Sequence, residues 1–322
     1  MKKILLLILL LTFGNSFLFA QASNPNQPIG KLVNIGGRNL HVIAVGEGKP
    51  TVVLMAGGGA YAIDWALVQP QVAKLTRVLS YDRAGLGWSD SGPKDETVEQ
   101  TVSDLHELLK KNKEKGPFIL VGASISSIYI TAYQRQYPKE VAGIIFANCS
   151  NKVGLKTKTK EGLVWELSES EIASNYPLPA SLKDKKPTFS IGSPFDKLPE
   201  NLQKIRVGLD EKNWEAFEPT KFTAAGILSW RKEFLNIFQD TEAGKPFAMG
   251  KLPIIVLAEY EMPGDSVRNM RDRSAPRLSY LSSNTLHVKV PKGHEIHLYN
   301  PAILHDAIEK LIIAVRNKTP LR

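Results

Sequence analysis

The stretch Phe118-Ile119-Leu120-Val121-Gly122-Ala123-Ser124-Ile125-Ser126 decides how the rest of the chain is read. Its four apolar residues, two of them β-branched, have the character of a short buried strand. Gly122 and Ala123 lead into a tight turn with Ser124 at its tip. A helix is then expected from Ser126 to Gln136, ended by Pro138. Strand, tight turn with a central serine, and helix together hold a hydroxyl out at the carboxyl end of a sheet. The first turn of the helix points backbone N–H groups and its positive end at the same place. Ser124 is therefore a candidate nucleophile. The plainer alternative is a helix N-cap, a position for which serine is favoured.

Outward from this stretch, short strands alternate with helical runs. Lys31 to Ile35 and Leu40 to Val45 alternate in polarity and join at Gly36-Gly37, which suggests a hairpin. Further strands are expected at Thr51 to Met55, Arg77 to Ser80, Val141 to Ala147, Pro253 to Leu257 and Leu286 to Val290. Helical spacing of apolar residues covers Trp65 to Leu75, Thr97 to Leu109 and about Pro301 to Val315. Strands apolar on both faces and separated by helices imply an α/β protein. Its mostly parallel sheet is flanked by helices on both sides. The pattern breaks from about Ser150 to Gly250, where Lys, Glu, Ser and Pro accumulate and the helical stretches are polar. An excursion of that length between two strands of one sheet reads as a cap or lid. The expected division is 23–150 for the first part of the core, 151–250 for the cap and 251–322 for the second part. Ser23 to Ile29, rich in Pro and Asn, is expected to be a loose leader.

Three segments in this order resemble the α/β-hydrolase superfamily. They are the elbow around Ser124, Tyr81-Asp82-Arg83-Ala84-Gly85-Leu86-Gly87-Trp88-Ser89-Asp90, which is similar to D-R-x-G-x-G-x-S, and Tyr137-Pro138-Lys139-Glu140-Val141-Ala142-Gly143 before the sixth strand. The resemblance implies an eight-stranded, mostly parallel sheet with a helical cap after the sixth strand. It also implies a triad in the order serine, acid, histidine. His294 follows the last strand in Pro291-Lys292-Gly293-His294, just before the helix start Asn300-Pro301, and is the expected base; His297 is expected to pack or to line a pocket. Ala56-Gly57-Gly58-Gly59 follows the third strand, where the resemblance places the oxyanion loop. The expected donors are the N–H of Gly58, with Gly57 as an alternative, and the N–H of Ile125. The acid is expected after the seventh strand, at Glu261, with Asp265 as second choice; Glu259 is expected to lie still on the strand. The sequence departs from the family pattern at Ser126, where glycine is usual, and at Asn148, a position often occupied by aspartate.

The 322 residues are 43% hydrophobic and 23% charged, an ordinary globular balance. The formal charge of +9 is spread over scattered lysines, with no basic stripe interleaved with aromatics, so no nucleic-acid partner is expected. Met1-Lys2-Lys3, the apolar run from Ile4 and the small residues of Ala20-Gln21-Ala22 have the three parts of a secretory signal over 1–22, cut after Ala20 or Ala22. An exported protein, periplasmic or secreted and without a membrane anchor once the signal is removed, is expected. Cys149 is the only cysteine, excludes an internal disulfide and is expected to be a small buried residue. The expected activity is acyl-enzyme hydrolysis of a small-molecule carboxylic ester or lactone, a chemistry that calls for no metal or organic cofactor. The competing expectation is a non-catalytic ligand-binding protein of the same fold with a degenerate acid position.

Overall fold

The short apolar runs pair side by side in a computed structural model. It describes residues 19, 24–92, 97–149, 157–159, 162–164, 188–216, 248–259, 278, 281–291 and 293–322. The strands are β1 (Lys31–Asn34), β2 (Asn39–Val45), β3 (Thr51–Met55), β4 (Val78–Tyr81), β5 (Phe118–Ala123), β6 (Val141–Ala147), β7 (Thr157–Thr159), β8 (Gly162–Val164), β9 (Ile254–Glu259) and β10 (Thr285–Val290). Eight of them form one sheet in the order β1-β2-β4-β3-β5-β6-β9-β10, while β7 and β8 make a separate hairpin. The pairs β1/β2 and β2/β4 are antiparallel, and every other pair in the large sheet is parallel. Every residue of β3, β4 and β5 is buried, as a strand covered on both faces must be.

The period of two in β5 divides the core. Phe118 and Leu120 face a cluster shared with Val102 and Leu105 of α2 (Val98–Lys111) and Ile130 and Tyr133 of α3 (Ser126–Gln136). Ile119 and Val121 face the opposite cluster, with Val72 of α1 (Gln69–Val72). The helix α5 (Pro301–Asn317) contributes Leu304 and Ile308 to that same face. Between β6 and β9 the chain also forms α4 (Glu200–Ala216), whose Leu202, Ile205 and Leu209 pack with Tyr61, Ile63, Trp88 and Leu298 in a third cluster. This cluster lies beyond the end of β3.

Two expectations are corrected. The helix expected over Trp65 to Leu75 is a 3-10 turn at Ala62–Trp65 followed by the single turn α1. Pro70 has no N–H and fits only a first helical turn, so the helix starts at Gln69 rather than running through it. The leader is not loose from Asn24 onward. The Trp88 indole donates to the Pro25 carbonyl at 2.6 Å, Ile29 is buried, and Pro25 lies against Gly208 of α4, where a Cβ would come within 2.4 Å of the proline ring. Residues 1–18 and 20–23, which carry the expected signal and its cleavage sites, lie outside the described residues. No helix among the described residues is long and apolar enough to cross a membrane.

The loop after β4 is organised by Asp82, which is completely buried. Its carboxylate accepts the N–H of Ala62 at 2.6 Å and of Trp88 at 3.1 Å, and it meets Nδ1 of His41 at 2.7 Å. The other His41 nitrogen reaches the carbonyl of Ile29, so the leader is tied to the same point. Gly87, at φ +55°, is required here, because a Cβ would stand 2.1 Å from the carboxylate. Asp82→Ala strips the partner from three buried polar groups at once. It is expected to cost about 3–5 kcal/mol in urea-monitored unfolding, whereas Leu32→Ser at the exposed edge is expected to change stability by less than about 0.5 kcal/mol.

Candidate active site

β5 ends in a residue that departs from ordinary backbone geometry. Ser124 has φ +53°, in the left-handed region that serine seldom occupies. Its N–H donates to the carbonyl of Ala147 at 3.3 Å, which fixes the turn to the end of β6. Gly122 is needed below it, since a Cβ there would lie 2.5 Å from Ile130 and 3.0 Å from the Ser126 side chain. Ser124 is half-buried, and Nε2 of His294 lies 2.8 Å from its Oγ across 170 residues of sequence. The turn that carries His294 is made by Gly293 at φ +102°, packed against the Tyr299 ring. The expected nucleophile and base are therefore within hydrogen-bond reach of one another.

Two groups hold the histidine loop from the sheet side. Glu259, the last residue of β9, accepts the N–H of Gly293 through Oε1 at 2.9 Å. Asn148 follows β6 at φ +48°, and its N–H donates to Leu257 at 2.8 Å. The Asn148 side-chain nitrogen lies 3.2 Å from Nδ1 of His294, 3.3 Å from the His294 carbonyl and 3.5 Å from Oε2 of Glu259. With the amide in this orientation it donates to Nδ1, an arrangement that places the ring proton on Nε2. Glu261 and Asp265, the two expected acids, lie outside the described residues. Sequence reasoning left Glu259 on the strand, where it is, but did not see that its carboxylate reaches the site. The available signal was a carboxylate closing an otherwise apolar buried run.

The loop after β3 lies beside the serine. A Cβ at Gly57 would be 3.5 Å from that of Ser124. The buried Arg83 donates to the carbonyl of Ala56 at 2.6 Å and to that of Gly57 at 2.7 Å. Ser126 is completely buried and donates to the Ala56 carbonyl at 2.6 Å, so the residue that replaces the usual glycine gains a partner instead of only crowding the turn. The N–H groups of Gly58 and Ile125, the expected oxyanion donors, donate to no group among the described residues. Arg83 stood in the segment that carries the family resemblance, but nothing in the sequence pointed to its partners.

Two other residues fall where they were expected. Cys149 is buried, its thiol donates to the Gly122 carbonyl at 3.1 Å, and burial pushes its pKa up to about 12, so it stays protonated. His297 is buried with its ring centroid 4.6 Å from that of Trp65, and neither ring nitrogen has a hydrogen-bond partner among the described residues. Burial, and then the charge of Arg206, hold its pKa down at about 3. Arg206 itself bonds Asp64 at 3.0 Å and Asp210 at 3.0 Å, while the Tyr61 hydroxyl donates to Asp210 at 2.6 Å and accepts from Asn213 at 2.9 Å. This buried network ties α4 to the turn that follows the Gly57–Gly59 loop.

Comparison with known proteins bears on the family and the fold. Residues 52–305 match the family model described as the alpha/beta hydrolase family. An uncharacterised protein of Bacillus subtilis (strain 168) is 32% identical over 118 residues, which is 36% of this chain and 36% of that protein. A 2-hydroxy-6-oxo-2,4-heptadienoate hydrolase of Pseudomonas putida is 30% identical over 149 residues, which is 44% of this chain and 52% of that protein. The chain thus spans about a third to a half of the length of these curated relatives. Among solved structures, a thermophilic esterase from Thermogutta terrifontis aligns with a TM-score of 0.62 at 18% identity, covering 88% of this chain and 98% of that one. The enol-lactonase of Burkholderia xenovorans aligns with a TM-score of 0.58 at 16% identity, covering 88% of this chain and 100% of that one. At these identities the structural likeness speaks for the fold alone.

His297 makes the stability of the fold pH-dependent. Unfolded, His297 takes up a proton near its ordinary pKa of 6.5; folded, it does so only near 3. The unfolded chain therefore binds the extra proton between these values, and the contribution is complete above about pH 6.5 and is lost as pH falls. Between pH 7 and 4.5 the wild type is expected to lose about 2–3 kcal/mol more unfolding free energy than His297→Phe, read from urea titrations at a series of pH values.

Proposed function

We propose a serine hydrolase, starting from the fact that the chain belongs to the alpha/beta hydrolase family. The observation that carries the proposal is the contact of 2.8 Å between Nε2 of His294 and Oγ of Ser124, made at a left-handed turn beside two backbone N–H groups that have no partner among the described residues. A serine hydroxyl is a weak nucleophile near neutral pH and needs a base at this distance. In the proposed reaction Ser124 attacks the carbonyl carbon of an ester or lactone and His294 takes its proton. The oxyanion is held by the N–H groups of Gly58 and Ile125. The tetrahedral species collapses, the C–O bond to the leaving group breaks, and His294 returns the proton to the departing oxygen. Water then attacks the acyl-enzyme by the same steps in reverse.

The third member, which accepts the Nδ1 proton of His294, is proposed to be Glu261, with Asp265 as second choice. The insertion over 151–250 is proposed to be a cap that shapes the acyl pocket. Serine rather than a carboxylate at the elbow favours acyl transfer over epoxide opening or dehalogenation. An ester or lactone is supported by the names of the esterase and enol-lactonase that share the fold. The signal-like N-terminus supports an exported enzyme, periplasmic or secreted.

A second reading, a non-catalytic ligand-binding member of the family, is favoured by one observation. The Asn148 amide faces Nδ1 of His294 as a donor, and general-base catalysis needs that position to carry a proton given to an acceptor. Fluorophosphonate labelling of the purified protein separates the two readings. Labelling is expected in the wild type and is expected to vanish in Ser124→Ala and His294→Ala, with ester turnover down by about 10³-fold or more. A folded wild type that takes no label favours the binding protein. Glu261→Gln is expected to lower kcat by about 10⁴-fold and Asp265→Asn by less than about tenfold; the reverse order, measured on a short-chain ester, assigns the acid to Asp265.

A further inference from the structure

We propose that Arg83 and Ser126 are positioning residues that aim the N–H groups of Gly57 and Gly58 at the oxyanion. The proposal rests on the serine-hydrolase reading and names what makes its oxyanion loop rigid. A trans peptide is planar, and its C=O and N–H point in opposite directions. Fixing the carbonyl of Ala56 therefore fixes the direction of the Gly57 N–H, and fixing the carbonyl of Gly57 fixes that of Gly58. In an extended chain successive carbonyls alternate between sides. Here one guanidinium takes both, Nη1 on Ala56 at 2.6 Å and Nη2 on Gly57 at 2.7 Å. Both N–H groups must then face away from Arg83, and neither donates to another group among the described residues.

Each carbonyl has a second donor. The Ser126 hydroxyl reaches Ala56 at 2.6 Å, and the N–H of Ala60 reaches Gly57 at 3.2 Å. The guanidinium cannot swing out, because it is buried and lies 5.4 Å from the centre of the Tyr129 ring. Its hydrogen bonds are charge-assisted, and they polarise the two peptides so that the opposite N–H groups become stronger donors. Arginine suits this task and lysine does not, since only a planar fork can hold two carbonyls at once. The departure from glycine at 126 then has a purpose, because the hydroxyl of Ser126 holds the upper carbonyl from the start of the very helix that follows the nucleophile.

The test uses Arg83→Lys and Ser126→Gly with a matched pair of substrates, an ester and its thionoester. Sulfur is a poor acceptor for these N–H groups, so a misaimed loop penalises the ester more. Arg83→Lys is expected to lower kcat for the ester by about 10–100-fold with KM changed less than about twofold, and to lower the ester-to-thionoester ratio by about tenfold. Ser126→Gly is expected to do the same by about three- to tenfold. A merely structural role would reduce the active fraction and lower both substrates alike, leaving the ratio unchanged. Independently of turnover, 15N relaxation of the Gly57 and Gly58 amides is expected to show lower order parameters in both variants than in the wild type. A wild-type ratio together with wild-type order parameters in Arg83→Lys would overturn the proposal. Loosened amides in a protein whose wild type hydrolyses neither substrate would sustain the clamp and refute the hydrolase reading instead.

Discussion

Ser124 sits in the left-handed region at φ +53°, and the rest of the site follows from that single backbone constraint. Turning a buried parallel strand into a helix within three residues requires such a conformation, which costs a residue with a side chain about 1 kcal/mol. The surrounding structure imposes it. β5 is paired on both sides, by β3 and by β6, so the entry to the turn cannot shift, and α3 buries most of its residues directly after it. The neighbouring strand repeats the device, with Asn148 at φ +48° just past β6. Asparagine tolerates this region better than most residues. The ends of two adjacent strands thus both pass through the left-handed region, next to the histidine loop after β10.

How much of this was legible in the sequence can be argued from single elements. The strands could be read because apolar runs between turn residues are a local signal, and the eight-stranded, mostly parallel sheet followed from the resemblance carried by three segments. Ser124 could be located from the turn chemistry around it, and His294 from the resemblance. Helix boundaries were less visible. A window of apolar spacing hid the effect of Pro70, a single atom's absence that shortens the helix. Beyond the pair of Ser124 and His294, contacts between distant side chains were not legible. The partners of Arg83, Glu259 and Ser126 depend on how loops from different strands converge, and the pattern along the chain carries no record of that. Ser126 is instructive, since its size suggested crowding, while its value lies in a hydrogen bond to a residue 70 positions away.

The same limit applies to α4. Its apolar residues announce a helix that needs a surface, but the docking is specified by polar groups. Arg206 lies between Asp64 and Asp210, Tyr61 bridges Asp210 and Asn213, and Arg206 stacks on Phe195 with 3.5 Å to the ring centre. Burying such charges is costly unless every one is matched. An apolar face alone would tolerate several rotations of the helix about its axis. The matched set accepts one, so the network fixes the register of the insertion against the turn that follows the oxyanion loop.

The segment 24–30 shows what long sequence separation means for a chain made from its N-terminus. Pro25 emerges early in synthesis, but Gly208, against which it packs, emerges more than 180 residues later. Until then the Pro25 ring lacks the surface it packs on, although His41 and Trp88, which bond the segment's backbone, have already been made. A hydrophobic stretch left waiting that long would be exposed to self-association. Asn24, Pro25, Asn26, Gln27 and Pro28 avoid that, since two prolines and three amides neither extend into a strand edge nor collapse. The composition that looks like a linker is better understood as that of a latch, soluble while it is open and held once closed by a tryptophan N–H and by the missing side chain of a glycine.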